Sequence, residues 1–232
     1  MKKLLAFDIE IFKSIPDGTI DWKQYRPFGI SCAATLCSDK AEPRLWYMQD
    51  KSALDSNKLR RLIAYMNYKT KQGYQILTWN GVGFDFDVLA EESGMRETCA
   101  DLALNHVDMF FHIFCTLGYG PGLAKAAEGM GLSGKTEGLT GARAPELWAA
   151  GEYDKVLEYV GQDVRCTLDV ALAVEKASAL NWIAKSGRKN SIRIQKWLTA
   201  KEALKLPKPN TSWMTDPWPR SKFTDWMNLF AI

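Results

Sequence analysis

The stretch that decides the fold is Lys3-Leu4-Leu5-Ala6-Phe7-Asp8-Ile9-Glu10, close to the N-terminus. Residues 4–9 form a short apolar run, which predicts a buried strand. Asp8 and Glu10 stand two positions apart, and side chains with that spacing share one face of a strand. Two adjacent carboxylates at a core strand repel each other and lose hydration, so a divalent cation is the simplest compensating partner. The alternative is a strand that has already ended in a polar turn.

The composition is ordinary for a globular chain, but the charge is unevenly distributed. The 232 residues are 47% hydrophobic and 25% charged, which allows one sizeable core. Residues 182–232 carry 10 Lys and Arg against 3 Asp and Glu, a net of +7, so the total of +3 leaves −4 for residues 1–181. A basic tail favours a polyanionic partner, and a solvated basic surface is the alternative.

The cysteines and the hydropathy exclude several classes of protein. The five cysteines are scattered, odd in number and without a CxxC pair, which argues against a disulfide framework and a structural zinc site. This usage predicts a reducing, cytoplasmic location. No apolar run approaches the length of a membrane span, so we expect no membrane partner.

The hydrophobic periodicity predicts an α/β fold, a mixed sheet with helices packed on it. Further strands are predicted at 28–36, 44–48, 74–79 and 101–107, and the first of these could be the antiparallel partner of the N-terminal strand. Helical segments are predicted at 54–68, 84–92, 108–117, 122–130, 145–149 and 153–179. The proline-bearing tail is expected to be irregular. We predict one domain at 1–181 and a basic, Trp-rich C-terminal extension at 182–232.

A second acid-bearing stretch is Trp79-Asn80-Gly81-Val82-Gly83-Phe84-Asp85, where a strand ends and a helix begins. Functional sites in α/β sheets are built at such strand ends. An acid in the first helical turn also suits the helix dipole, so a simple cap at Asp85 is the alternative. Asp87 is expected to point elsewhere on the helix.

A third stretch, Tyr159-Val160-Gly161-Gln162-Asp163, lies in the last long helical segment. Tyr159 and Asp163 are four residues apart and share a helix face. The alternative is a surface acid beside a half-buried tyrosine.

In order and context, these three stretches resemble the motifs of the DEDD superfamily of 3′–5′ exonucleases, which have the ribonuclease-H-like fold. Residues 7–10, 80–85 and 159–163 are similar to its first, second and third motifs. Glu158 stands where the histidine form would have its histidine, so the resemblance is to the tyrosine branch. Over roughly residues 1–180, the chain resembles proofreading exonuclease domains of family B DNA polymerases and their stand-alone bacterial and phage relatives.

The resemblance implies a metal-dependent hydrolysis of single-stranded ends, DNA rather than RNA, that releases nucleoside 5′-monophosphates. Two divalent ions, Mg²⁺ or Mn²⁺, would neutralise the oxygens of an in-line displacement. Asp8 would bridge both ions, Glu10 and Asp163 would hold the first, and Asp85 would act on the second. Tyr159 would orient the attacking water, because a tyrosine pKa of about 10 makes it a poor free base.

Three further residues are candidates for contact with the substrate. Asn80 and Phe84 could meet the terminal nucleotide, Phe84 by stacking, with core packing as its alternative. Lys135 lies in residues 129–136, which match the phosphate-loop pattern GxxxxGK[ST]. That pattern needs a preceding strand, whereas a helix is predicted here. We therefore interpret the segment as a glycine-rich loop that places Lys135 near the substrate backbone. Asp108 resembles either an acid of this family that supports the metal ligands without binding the metal or a helix cap, and we favour the cap.

The extension contains five tryptophans interleaved with lysines and arginines. They predict either a groove that binds a strand by charge and stacking or aromatic side chains that pack on the body. We expect packing for the last three of Trp182, Trp197, Trp213, Trp218 and Trp226. The extension could also dock a protein partner. The rival functions are an exoribonuclease with the same chemistry, a nucleic-acid-binding module, and a subunit of a larger replication, repair or defence complex.

Overall fold

A five-stranded mixed sheet organises the computed structural model, which describes residues 2–16, 21–132, 141–184 and 186–227. The strands are β1 (Leu4–Ile11), β2 (Ile30–Cys37), β3 (Arg44–Tyr47), β4 (Gln75–Thr78) and β5 (Val107–Asp108), in the spatial order β3-β2-β1-β4-β5. β2 pairs antiparallel with β1 and β3, whereas β4 lies parallel to β1 and β5. The predicted mixed sheet and the antiparallel β1–β2 pair are both confirmed.

Helices cover both faces of this sheet, as the periodicity predicts. They are α1 (Ser56–Lys71), α2 (Asp85–Ser93), α3 (Arg96–Asn105), α4 (Met109–Leu117), α5 (Leu123–Gly129), α6 (Ala144–Ala149), α7 (Tyr153–Ala177), α8 (Ala200–Ala203) and α9 (Ser221–Thr224). A separate hairpin joins β6 (Ala179–Ile183) to β7 (Lys189–Arg193). Across the described ranges, no helix combines the length and apolarity needed to cross a bilayer.

The alternation of side chains along β1 positions the site. Every second residue enters the core that the sheet shares with α1 and α2: Leu5, Phe7, Ile9 and Ile11. Leu4 and Ala6 enter the core shared with α7, which packs on β1 and β2. Because alternate residues of a strand share a face, Asp8 and Glu10 continue the α7 side.

The strand predicted at 101–107 is wrong over most of its length. α3 continues to Asn105, and only Val107 and Asp108 are extended. Cys99, Leu102 and Ala103 are buried at helical spacing, and the segment between them consists largely of good helix formers. The short β5 then follows directly.

The tail is more regular than expected, since it contains a hairpin, α8 and α9. β6 crosses residue 181, where the sequence places a domain boundary, and the division into two units stays a prediction. Packing on the body is confirmed for Trp226 and wrong for Trp213 and Trp218, which are 66% and 50% exposed. Prolines at 217 and 219 flank Trp218 and prevent a helix that would turn it inward. Trp182 and Trp197 are buried with the α7 core, so a strand-binding groove built on them is wrong.

Candidate active site

Three carboxylates meet between β1 and α7. The side-chain oxygens of Asp8, Glu10 and Asp163 lie within 4.8 Å of one another. Glu10 and Asp163 are buried, and Asp8 is half-buried. The strand alternation turns the first two acids toward α7, and the buried face of α7 carries the third. The structure therefore brings together residues that are more than 150 positions apart in the sequence.

Asp85 is held against the same strand. Its Oδ1 accepts a hydrogen bond from the backbone N–H of Ile9, at 3.1 Å, between the two acids of β1. Burial raises the pKa of Asp85 to about 7, and the charges of Asp108 and Asp163 act in the same direction. The residue preceding α2 is Phe84, which makes no side-chain capping bond. The carboxylate of Asp85 is thus held by β1 beside the acids of that strand, and its role in metal binding stays a prediction.

Tyr159 lies beside the carboxylates on α7. Its ring is buried, and its hydroxyl makes a hydrogen bond with Asp163. Burial raises the pKa of Tyr159 far above its ordinary value, and the charges of Asp163, Glu10 and Asp8 raise it further. The hydroxyl therefore keeps its proton and acts as a hydrogen-bond donor.

Asp108 holds the turn between β4 and α2 in place. Its carboxylate accepts hydrogen bonds from the backbone N–H groups of Asn80, Val82 and Phe111, at 2.8 to 2.9 Å. The bond to Phe111 confirms the predicted cap of α4. The two bonds to the turn were not foreseen, because the sequence does not show which loop lies beside β5.

Thr78 provides a second support for this turn. Its hydroxyl accepts from the N–H of Gly81 and lies 2.8 Å from Nε2 of His106. Gly81 packs so closely on Thr78 that a Cβ there would overlap its side chain. Asn80 has φ of +74°, a left-handed conformation that asparagine tolerates better than most residues. These contacts hold Asn80 and Phe84 at the mouth of the site.

The described side chains of the predicted site border an open cleft of about 520 Å³. It is lined by the four acids and by Tyr159, Asn80 and Phe84. Further lining residues that the sequence analysis missed are Ile15, Pro16, Trp79, Leu123, Gly141, Ala142 and Pro145. A Cβ on Gly141 would lie 3.7 Å from a carboxylate oxygen of Glu10 and 4.0 Å from the hydroxyl of Tyr159. Because Gly141 has no side chain, this wall of the cleft leaves space beside Glu10 and Tyr159. No sequence pattern identifies Gly141 as part of the cleft.

Core packing is observed for Phe84, whereas its contact with a nucleotide stays a prediction. It lines the cleft, and its ring also packs against Trp22 with centroids 5.2 Å apart. Asp87 lies away from the cluster, as predicted, between Arg26 and Lys23. Lys135 lies outside the described residues. α5 precedes residues 129–136, which agrees with the argument against a phosphate loop.

The donor set fits a divalent metal. Three close carboxylates supply the oxygen ligands that Mg²⁺ and Mn²⁺ prefer, and a cation relieves the repulsion between them. Asp8, Glu10 and Asp163 are therefore the residues that would hold such an ion. Asp85 lines the same cleft but stands outside this group of three.

Comparisons with known proteins agree with this fold. A family model of the RNase H superfamily matches residues 34–174, which include Asp85, Tyr159 and Asp163 and begin after β1. Among solved structures, the chain is similar to the family B DNA polymerase from the hyperthermophilic archaeon Pyrobaculum calidifontis, with 17% identity and a TM-score of 0.54. That match covers 75% of this chain and 24% of the polymerase, and at this identity it shows the fold. No curated protein sequence matches significantly. The chain belongs to the RNase H superfamily, and its fold and acidic cleft support nuclease activity on a nucleic acid.

Proposed function

We propose that this chain is a metal-dependent 3′–5′ exonuclease of the tyrosine branch, which hydrolyses single-stranded DNA ends to nucleoside 5′-monophosphates. The observation that carries the proposal is the cluster of Asp8, Glu10 and Asp163, whose oxygens lie within 4.8 Å of one another in an open cleft. Membership of the RNase H superfamily and the similarity of fold to a DNA polymerase support it.

The carboxylates would hold two divalent ions, Mg²⁺ or Mn²⁺. Such ions supply charge neutralisation on a phosphodiester and make water acidic enough to serve as a nucleophile. Asp8, Glu10 and Asp163 would share this work with Asp85, which the N–H of Ile9 holds beside them. The buried floor of the cleft keeps the carboxylates in place before substrate arrives, so little reorganisation is needed.

Tyr159 would position the attacking water. Its raised pKa keeps the phenol protonated, so it cannot act as the base at neutral pH, and its single O–H donates to the carboxylate of Asp163. The water would therefore donate a hydrogen bond to the phenol oxygen. The contact with Asp163 fixes the direction of the Tyr159 hydroxyl. Its role is therefore orientation of a reactant beside the carboxylates.

Asn80 and Phe84 would bind the terminal nucleotide at the mouth of the cleft. The ring of Phe84 packs against Trp22 and would offer a surface on which a base stacks. Asn80 offers an amide beside it, on a turn that Asp108 holds rigid. Contact of Lys135 with the substrate backbone, a protein partner for 182–232 and a cytoplasmic location stay predictions.

A time course on 5′-labelled single strands of DNA and RNA with one sequence tests this proposal. The reactions contain Mg²⁺, Mn²⁺ or EDTA, with Asp8→Ala and, as a matched control, Asp154→Asn, an exposed acid at the start of α7. We expect a ladder that shortens from the 3′ end, faster on DNA, unchanged in Asp154→Asn and abolished by EDTA and by Asp8→Ala. Faster digestion of RNA would change the substrate class. Binding without cleavage in either metal would overturn the proposal in favour of a binding module.

A further inference from the structure

A second cavity, of about 710 Å³, lies next to the catalytic cleft. Asn80 lines both spaces, so the two cavities adjoin at this residue. Its walls include Trp22 and Lys23 on one side and Trp218 and Lys222 of the C-terminal segment on the other. Both volumes lie in the range of ordinary ligand sites.

Trp218 is the most exposed aromatic side chain of this cavity. Half of its surface is accessible, although its ring lies 6.2 Å from that of Phe223, which is buried in a cluster with Phe111 and Phe114. The ammonium of Lys222 lies 3.5 Å from the centre of the indole. The ammonium therefore covers one face of the indole, and a base that stacks on Trp218 would use the opposite face or displace the lysine.

Arg220 fixes the backbone that carries this tryptophan. Its guanidinium donates hydrogen bonds to the carbonyl oxygens of Cys115, Leu204, Leu206 and Pro207, at 2.8 to 3.0 Å. Four carbonyl partners on two parts of the chain leave the segment little freedom. The exposure of Trp218 is thus built into the fold, because its neighbours are tied down while it faces the cavity.

The charges around the cavity nearly balance. The lining includes two lysines and three aspartates, so the walls offer a polyanion little net attraction: Lys23, Lys222, Asp21, Asp216 and Asp225. Stacking on the indole is the contact that remains, and bases stack on aromatic side chains whatever their sequence. A nucleobase would stack on the face of the indole that Lys222 leaves uncovered.

We infer that a single strand whose 3′ end occupies the catalytic cleft continues past Asn80 and stacks one of its upstream bases on Trp218. The inference rests on the proposed function for the identity of the strand. It assigns to the C-terminal segment a subsite that longer substrates reach and the shortest ones do not.

Cleavage of two substrates tests the inference: a dinucleotide and an oligonucleotide of about 12 nucleotides, a length within the range of single-strand binding sites. Trp218→Ala is expected to lower kcat/KM for the longer strand by about 5- to 150-fold, mainly through KM, as loss of one stacked base does. The dinucleotide should be cleaved at close to the wild-type rate, which also shows that the variant is folded. Trp213→Ala is the matched control, because Trp213 is as exposed, lies on the same segment and lines neither space.

Binding of the longer strand in EDTA, measured by fluorescence anisotropy, separates this inference from the proposed function. If the wild type cleaves neither substrate, the function fails, but Trp218→Ala must still weaken binding and Trp213→Ala must not. The loss should change little between low and high salt, since stacking releases no counterions. Equal cleavage and binding by Trp218→Ala and wild type would overturn the inference, and the surface would then be assigned to a protein partner.

Discussion

Asp87 and the cleft cluster show two ways in which this fold treats buried acids. Asp87, in the first turn of α2, lies 2.6 Å from a guanidinium nitrogen of Arg26 and 3.2 Å from the ammonium of Lys23. Asp8, Glu10 and Asp163 lie instead within 4.8 Å of one another. Cations of the chain contact the first acid, whereas the carboxylates of the second group lie close to one another, and a divalent ion would relieve the repulsion between them. Burial alone therefore does not identify a functional acid, and the charge of its neighbours does.

Asp8→Asn should produce the largest effect on activity. Removing one charge from the cluster weakens the hold on metal, so cleavage of single-stranded DNA should fall on the order of 10³-fold. In EDTA the same change should raise the melting temperature, because one like-charge repulsion disappears. Calorimetry in EDTA measures the change in melting temperature, and calorimetry with Mg²⁺ measures how much stabilisation by the metal is lost. A variant that is less stable than wild type in EDTA would show that Asp8 stabilises the fold and is not a source of repulsion.

Asp108→Ala should cost the most stability among these changes. The substitution leaves three backbone N–H groups without their carboxylate, which should lower the free energy of unfolding by about 3 kcal/mol or more. Activity should fall as well, since the turn that carries Asn80 loosens. Urea denaturation measures the loss, with Asp154→Ala as a control at an exposed position of α7. A change below that of the control would mean that other contacts hold the turn.

His106 extends the comparison to a buried group that is kept uncharged. Its Nδ1 lies 2.6 Å from the carbonyl of Ala103, so it donates there, and Nε2 accepts from Thr78. Burial lowers its pKa from 6.5 to about 4, so the unfolded chain takes up a proton at a higher pH than the fold does. Stability should therefore be complete above pH 6.5 and decrease by about 3 kcal/mol as the pH falls toward 4.

The measurement for His106 is denaturation at a series of pH values, with His106→Asn alongside. The variant should be less stable at neutral pH and should lose less on acidification. A parallel pH dependence of the two proteins would contradict the assignment, and the acid sensitivity would then belong to another group, such as His112, whose pKa burial also lowers to about 4.

Asp87→Asn is the matched opposite of Asp8→Asn and should have the smallest effect. It weakens a pair that is only partly buried on the cationic side, so we expect a loss of about 2 kcal/mol in stability. Cleavage should stay close to wild type at a temperature where the variant is folded. A loss of activity comparable to that of Asp8→Asn, without unfolding, would show that this acid takes part in catalysis.

Local sequence patterns predict the grouping of the acids better than the segments that hold them. Asp8 and Glu10 could be assigned to one face because strand alternation is a local rule. Asp85 and Tyr159 were found through motif resemblance, again over a few residues. The role of Asp108 in holding the 80–82 turn depends on β4 and β5 being neighbours in the sheet, which the local sequence does not show.

The packing of the C-terminal segment likewise cannot be predicted from its local sequence. Nothing near Trp226 indicates that its indole donates to the carbonyl of Val82, a residue 144 positions earlier, in the turn between β4 and α2. Its burial and the exposure of Trp218, eight positions before it, follow from tertiary contacts and from the prolines beside Trp218. α3 was mistaken for a strand because a short apolar run fits either element until its packing is known.

Binding of Mn²⁺, followed by the electron paramagnetic resonance signal of the free ion, tests the central claim most directly. The account predicts that the wild type and Asp87→Asn take up the ion in a saturable way and that Asp8→Asn loses most of this uptake. No saturable uptake by the wild type, or equal uptake by Asp8→Asn, would contradict the claim that the cluster of Asp8, Glu10 and Asp163 is the metal site.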